Sequence, residues 1–199
     1  MRILITGFMP FDGQKINPSW QAVCRMTDIP GVEMIRRELP VEYFTARDQL
    51  NNLIDAFRPD CVLCTGQAGG RAKVSIERVA INLCEASIPD EAGVMLKDTP
   101  IVPGGENAYF STYPHQKMLE ALQAEEIPAA YSFSAGAYIC NHVMYTALET
   151  AQQKYPRMQA GFIHLPFLPE QTTEHPSMPL DVQTRALEVI VRTIAAEEK

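Results

Sequence analysis

Short apolar runs alternate along this chain with longer segments in which apolar residues recur at helical spacing. Residues 2–6 and 61–65 are short and apolar, and a glycine follows each run, which is typical of buried strands. Residues 43–57 place apolar side chains at helical spacing with charged residues between them, which predicts a helix. The same criteria predict further strands over 32–39, 74–83, 129–133 and 160–165, and further helices over 19–26, 113–124, 138–153 and 181–196.

This alternation of strands and helices determines the expected fold class. Successive parallel strands are joined by helical crossovers, which place helices on both faces of the sheet. We therefore predict an α/β fold, a three-layer α/β/α sandwich with a largely parallel, twisted central sheet. No linker, repeat or low-complexity segment interrupts the sequence, so we expect a single α/β domain over residues 1–199.

Four segments that follow predicted strands carry chemically useful residues. They are 7–12, the glycine-rich 66–71, the small-residue turn 134–140, and His164 at the end of its strand. Ligands of parallel sheets bind beyond the carboxyl ends of the strands, where such segments meet. We expect these four segments to form one active site.

Cys140 lies where the turn 134–138 enters a predicted helix. The helix dipole and the free backbone N–H groups there favour negative charge, so we expect the pKa of this thiol to be lowered and a thiolate to be available. A buried packing role is the alternative, because free cysteines are often buried. The sequence thus makes Cys140 a candidate nucleophile.

A cysteine nucleophile needs a base, and the chain has four histidines. His164 ends an apolar strand on the expected ligand-binding edge, which makes it the favoured base. His142 is two residues from Cys140, so on a helix the two point to different faces, and we expect a surface or packing role. His115 and His175 are expected to be exposed.

Glu77 is an acid on an apolar strand face. In the predicted strand 74–83 it shares that face with Val79, Ile81 and Leu83. A carboxylate in such a position needs a partner or a role. A salt bridge to a nearby arginine and an orienting role in catalysis are equally compatible with the pattern.

Composition narrows the class of protein. The net charge of −7 and the lack of a basic run argue against a nucleic-acid-binding surface. No segment approaches the roughly 20 apolar residues of a membrane span. The five cysteines are an odd number in apolar segments, which favours reduced thiols in the cytoplasm. Cys61 and Cys64 lie in a predicted buried strand, which is favoured over a redox pair or zinc site.

Several ordered motifs resemble one known family, and the match runs from the first strand to the last helix. The segments are 7–11 (GFMPF), 17–20 (NPSW), 66–71 (GQAGGR), 77–82 (ERVAIN), 108–112 (AYFST) and 135–141 (AGAYICN). Together they resemble the pyrrolidone-carboxylate peptidase (pyroglutamyl peptidase I) family of cysteine peptidases. The resemblance implies that Cys140 is the nucleophile, His164 the base and Glu77 the third member of a triad. It also implies removal of an N-terminal pyroglutamyl residue from peptides without a metal or cofactor, in a cytoplasmic homotetramer.

The resemblance extends to the substrate pocket, with one departure. It implies that Phe8 and Phe11 line an apolar space around the lactam, that Gln67 helps to hold it, and that Tyr138 is a further pocket residue. Asn17 matches a position near the site, or acts only as a helix cap. Ser87 stands where the family typically has an arginine assigned to the oxyanion.

Three other functions are compatible with parts of this sequence. The first is a thiol amidase that acts on another small amide. The second is a non-catalytic member that binds pyroglutamyl ends, which the serine at position 87 motivates. The third is a purine-binding or phosphorylase-like α/β protein, for which the loop 66–71 is the only support.

Overall fold

The computed structural model describes residues 1–197, which contain eight strands and five α-helices. Residues 198–199 of the expected domain lie outside the described part. The strands are β1 (Arg2–Phe8), β2 (Glu33–Leu39), β3 (Cys61–Gln67), β4 (Val74–Glu77), β5 (Val79–Ile81), β6 (Ala108–Phe110), β7 (Ala129–Ser132) and β8 (Gln159–Leu165). The helices are α1 (Pro18–Arg25), α2 (Tyr43–Phe57), α3 (His115–Ala124), α4 (Ile139–Lys154) and α5 (Leu180–Ala196), with a short 3-10 helix at Pro169–Gln171.

Six strands form the central sheet in the order β2-β1-β3-β8-β4-β7. The first four are parallel to one another, and β4 and β7 are parallel to each other but antiparallel to β8. The predicted fold class, a largely parallel sheet in an α/β fold, is confirmed. The antiparallel step between β8 and β4 is a feature that the alternation did not predict.

The two faces of the sheet pack into two apolar clusters because side chains alternate along each strand. Leu4 and Val62 pack on the side of α2 and α4, whereas Ile5 and Leu63 pack on the side of α1, α3 and α5. Each of these side chains is fully buried. The helices therefore form the two outer layers of an α/β/α sandwich, and none within residues 1–197 has the length and apolar character needed to cross a bilayer.

The Cys61 and Cys64 pair lies within β3, as the apolar run predicted. Their spacing of three places the two side chains on opposite faces of the sheet, one in each apolar cluster. The strand interpretation is confirmed, and the geometry is incompatible with a redox pair between these two cysteines.

The single strand predicted over 74–83 is wrong. It is divided at Arg78 into β4, which belongs to the central sheet, and β5, which pairs with β6 in a separate two-stranded ribbon. The backbone of Arg78 joins the two parts, because its N–H donates to the carbonyl of Ser132 and its carbonyl accepts from Ser111. Its guanidinium lies over the ring of Tyr131, with Cζ 5.2 Å from the ring centroid.

Helix α4 is buried on most of its surface and holds the long excursion between β5 and β6. Asn141 is fully buried; its side-chain oxygen accepts from the N–H of Ile81, and its amide donates to the carbonyls of Ile81 and Leu83. These bonds fix the segment after β5 against the first turn of α4. The residue next to Cys140 is therefore a structural anchor for the start of the helix.

Two histidines are buried in the apolar layers. His142 packs against the ring of Tyr43 at 5.4 Å, and its Nδ1 lies 4.0 Å from Cys84 Sγ. His115 is also buried, so the prediction of an exposed His115 is wrong; it begins α3, which packs against the sheet. His175 is exposed, as predicted. Burial lowers the pKa of both His115 and His142 to about 4.

We expect these two buried histidines to destabilise the protein in mild acid. Below a pH of about 6.5 the unfolded chain binds protons that the folded protein cannot accept until about pH 4, so the free energy of unfolding falls as the pH falls through this window. At about pH 5 each histidine should cost about 2 kcal/mol. Urea unfolding at neutral and acidic pH measures the change.

The control variants for this expectation are at positions 142 and 175. His142→Gln removes one titrating group and should make the loss of stability shallower, while the same change at the exposed His175 should leave it as in the parent protein. An unchanged pH dependence in His142→Gln would show that the buried ring is not responsible.

Candidate active site

A cavity of about 280 Å³ lies where β1, β3 and β8 end and α4 begins. This volume is close to the lower end of small-molecule pockets, roughly 300–1,000 Å³. Six of the seven residues predicted for the site line it: Phe8, Phe11, Gln67, Tyr138, Cys140 and His164. The seventh, Glu77, lies behind His164 and is fully buried.

One carboxylate oxygen of Glu77 contacts both the imidazole of His164 and the guanidinium of Arg71. Its Oε1 lies 2.7 Å from His164 Nδ1 and 2.6 Å from Arg71 Nη1. Glu77 and His164 occupy diagonal positions on the adjacent antiparallel strands β4 and β8, where Ser75 is directly opposite His164. The arginine partner that one interpretation of Glu77 expected is therefore present, and the same oxygen also has a histidine partner.

The carboxylate of Glu77 is held in its charged form. Burial alone would raise its pKa, but the hydrogen bond and charge of His164, together with the hydrogen bond from Arg71, bring the pKa below its usual value. A carboxylate that stays ionised next to an imidazole fixes which ring nitrogen carries the proton. Since Nδ1 of His164 faces Glu77, Nε2 is the nitrogen that remains for chemistry in the cavity.

The thiol of Cys140 packs against Gly66 of β3. A Cβ on Gly66 would lie 2.9 Å from Cys140 Sγ and 2.7 Å from the ring of Phe162, closer than real side chains approach. Gly66 is also the register partner of His164 on the adjacent strand β8. The absence of a side chain at position 66 thus leaves space for the thiol next to the strand that carries His164.

The segments converge by a route that differs from the predicted one. Strand β7 runs opposite to β8, so its carboxyl end is not at the edge where β1, β3 and β8 end. The predicted convergence of four parallel strand ends is therefore wrong for the segment 134–140. The chain instead turns at Gly136, whose φ of 79° favours glycine, and enters α4 with Cys140 as its second residue.

The prediction of a lowered pKa for Cys140 is also wrong. Burial and the charge of Glu77 raise the pKa of this thiol to about 12, although Arg71 and the backbone N–H of Cys140 act in the opposite direction. Burial likewise lowers the pKa of His164 more than Glu77 raises it. Both shifts favour a thiol and a neutral imidazole over an ion pair, because desolvation outweighs the dipole of the helix.

The pocket residues provide an apolar wall with polar points. Phe8 is buried and packs near Phe162, with 6.4 Å between the ring centroids, whereas Phe11, Gln67 and Tyr138 are partly exposed. The hydroxyl of Tyr138 donates to the carbonyl of Pro89 at 3.0 Å. This bond connects the cavity wall to the long excursion between β5 and β6.

Asn17 has the predicted cap role and also lines the cavity. Its Oδ1 accepts from the N–H of Ser19 at 3.0 Å, and its amide donates to the carbonyl of Met9. Ser87, by contrast, is exposed and is not part of the cavity wall. The cavity therefore contains no side chain from position 87.

Arg71 is the site residue that the sequence reasoning did not single out. Besides Glu77, it binds the carbonyl of Ser134 through Nη2 at 3.0 Å, so it joins Glu77 to the turn before Cys140. The signal was present, because an acid on an apolar face calls for a cation and Arg71 stands six residues before it. No group of three or more potential ligands in residues 1–197 is arranged to hold a metal ion.

Comparisons with known proteins agree with this geometry. The sequence model of the family described as pyroglutamyl peptidase matches residues 1–197. A pyrrolidone-carboxylate peptidase from Thermococcus onnurineus is 47% identical over 97% of this chain and 98% of its own length. One from Enterococcus faecalis is 44% identical over 94% and 90% of the two chains.

Solved structures give the same result. The crystal structure of Bacillus amyloliquefaciens pyroglutamyl peptidase I superimposes with a TM-score of 0.95 at 39% identity, covering 98% of this chain and 97% of the other. A mutant pyrrolidone carboxyl peptidase from Pyrococcus furiosus gives 0.96 at 37% identity, with both chains fully covered. The similarity thus extends over the whole described fold.

Proposed function

The chain belongs to the pyroglutamyl peptidase family, and we propose that Cys140, His164 and Glu77 are the catalytic triad with which it works. The protein is a cysteine peptidase that removes an N-terminal pyroglutamyl residue from peptides. The observation that carries the triad is the 2.7 Å contact between Glu77 Oε1 and His164 Nδ1, behind a cavity that Cys140 and His164 both line.

The first half of the reaction forms a thioester. His164 Nε2 takes the proton of the Cys140 thiol as the sulfur attacks the pyroglutamyl carbonyl carbon, and the carbonyl π electrons move to oxygen. The oxyanion then re-forms the carbonyl, the C–N bond breaks, and His164 gives its proton to the leaving amine. Glu77 stabilises the imidazolium that exists between these two proton transfers.

The second half hydrolyses the thioester. With the shortened peptide gone, His164 takes a proton from water as the water oxygen attacks the acyl carbon. The C–S bond then breaks, the sulfur regains a proton from His164, and pyroglutamate leaves. The resting thiol and neutral imidazole are restored, which matches the raised pKa of Cys140 and the lowered pKa of His164.

The start of α4 supplies the oxyanion donors in this proposal. Cys140 is the second residue of the helix, and the first N–H groups of a helix have no partner within it. Its own N–H also lowers the pKa of the thiol, so this donor lies close to the sulfur that attacks the carbonyl. Because Ser87 lies outside the cavity wall, the backbone takes the role that the family assigns to an arginine side chain.

Specificity follows from a small apolar wall with few charges available to a ligand. Phe8 and Phe11 contact an uncharged lactam ring, while Gln67 and Tyr138 add polar groups at the edge of the cavity. An ordinary N-terminal ammonium would be desolvated here, and Arg71 would repel it, since Arg71 also lines the cavity. Peptides with a free N-terminus are therefore rejected.

The quaternary state and the location belong to the same proposal. We propose a homotetramer in the cytoplasm, as the resemblance to the family implies. Phe110 and Phe133 are each 70% exposed, and apolar rings of this kind are enriched in contacts between subunits. Light scattering on the purified protein tests the assembly, and a monomer at working concentration would contradict it.

Hydrolysis of a pyroglutamyl anilide tests the function. We expect rapid release of the anilide amine, and we expect iodoacetamide to abolish it. Binding without turnover would instead indicate the non-catalytic alternative, hydrolysis only of other small amides would indicate a different thiol amidase, and a requirement for phosphate would indicate a phosphorylase-like reaction. Each of these three outcomes would contradict the proposed chemistry.

The charge state of the resting thiol can be measured directly. Since burial raises the pKa of Cys140 to about 12, we expect no thiolate absorbance at neutral pH beyond that of Cys140→Ser, with the difference developing only in strong alkali. Ultraviolet difference titration of the two proteins provides the measurement. A thiolate signal already present at neutral pH would show that an ion pair, not a neutral pair, is the resting state.

A further inference from the structure

The amide of Gln67, at the cavity end of β3, is held by a second amide. Gln171, the last residue of the 3-10 helix, donates from Nε2 to Gln67 Oε1 at 2.8 Å. The two residues are 104 positions apart in the chain. Both are partly buried, and only Gln67 of the two lines the cavity.

Two backbone groups determine the orientation of the side-chain amide of Gln171. The N–H of Leu168 donates to its Oε1 at 2.9 Å, and its Nε2 is 3.4 Å from the carbonyl of Ile16. A backbone N–H can only donate and a backbone carbonyl can only accept, so a flipped Gln171 amide would lose both interactions. The orientation of the Gln171 amide is therefore determined by these two backbone groups.

This fixed amide in turn determines what Gln67 offers to a ligand. Because Gln171 donates to Gln67 Oε1, that oxygen faces Gln171, and the NH₂ group of Gln67 is the part left for the cavity. A cavity that presents N–H donors at this point selects a ligand with an oxygen acceptor there. A lactam ring provides one in its carbonyl.

We propose that Gln171 is a positioning residue that orients Gln67 to donate to the ring carbonyl of the bound pyroglutamyl group. The proposal rests on the function proposed above, because it assigns Gln67 to the lactam. Without Gln171, the amide of Gln67 is free to turn and place its oxygen against the ring carbonyl. Two facing acceptors repel each other and leave a buried polar group unpaired.

The test uses 2-pyrrolidone, which has the lactam ring but no scissile carbonyl. Gln171→Glu keeps the acceptor for Leu168 but cannot donate to Gln67, so it should turn the Gln67 amide and weaken inhibition by 2-pyrrolidone roughly tenfold. Gln171→Met removes the donor without imposing the wrong orientation and should have a smaller effect. In each variant KM should rise by about the same factor as the inhibition constant of 2-pyrrolidone, with kcat changed little.

A double-mutant cycle separates positioning from support of the loop. In a Gln67→Met background, Gln171→Met should cause no further loss of 2-pyrrolidone affinity, because there is no amide left to orient. A loss of equal size in both backgrounds, or no loss in either, would overturn the proposal. Calorimetric binding provides the same cycle without turnover, so a parent protein that binds 2-pyrrolidone but hydrolyses nothing would contradict the proposed function alone. A parent protein that hydrolyses the pyroglutamyl anilide but binds no 2-pyrrolidone would overturn the proposal for Gln171 alone.

Discussion

Replacing Cys140 by alanine should abolish hydrolysis of a pyroglutamyl anilide. In the proposed mechanism the thiol forms the covalent intermediate, so no other group can take its place, and loss of a nucleophile typically lowers kcat on the order of 10⁵- to 10⁶-fold. The fold should persist, since the change deletes one sulfur from a partly exposed side chain at the start of α4. Steady-state kinetics with thermal unfolding of the same preparation measures both quantities.

A matched cysteine and a binding measurement complete this experiment. Cys24 is exposed and lies on α1, away from the cavity, so Cys24→Ala should retain both activity and inactivation by iodoacetamide. Cys140→Ala should still bind 2-pyrrolidone, because the cavity wall is intact. Appreciable turnover by Cys140→Ala would refute the triad, since the chemistry would then use another group.

Local patterns were sufficient for most of the fold. Apolar periodicity placed α2 at Tyr43–Phe57, and Asn17 before Pro18 correctly marked the start of α1. The division of 74–83 at Arg78 was not predictable in this way. Its two halves differ only in their partners, β7 and β8 on one side and β6 on the other, and those strands are distant in sequence.

The candidate site shows the same limit. The end of a strand and the start of a helix pointed to His164 and Cys140 without any knowledge of contacts. The charge state of the thiol could not be read in this way, because it depends on burial against Gly66 and on the charge of Glu77, which only the packed structure brings close. Gln171 gave no periodic or motif signal, since its role lies in a contact with a side chain 104 residues away.

Glu77 is the point at which fold and chemistry meet in this proposal. One oxygen binds both the imidazole of His164 and the guanidinium of Arg71, and Arg71 also holds the turn before Cys140. The acid therefore connects the base on β8 with the segment that delivers the nucleophile. A change at Glu77 should affect the orientation of both.

Replacing Glu77 by glutamine should lower kcat roughly 10³- to 10⁴-fold, as for the equivalent change of a triad aspartate to asparagine. The amide has nearly the shape of the carboxylate, and its oxygen can still accept from His164 and Arg71, but a neutral amide cannot stabilise an imidazolium. KM should change far less, because Glu77 does not line the cavity. Steady-state kinetics gives kcat and KM separately.

Stability must be measured alongside these rates, because Glu77→Gln also removes the buried partner of Arg71. Breaking such a pair from one side can cost about 3–5 kcal/mol, although the guanidinium is 33% exposed, which reduces this cost. Glu85→Gln breaks an exposed ion pair with Lys97 and is the matched control, expected to keep full activity. If the folded fraction of Glu77→Gln at the assay temperature accounts for its whole loss, or if KM rises as much as kcat falls, Glu77 supports the structure and does not orient His164.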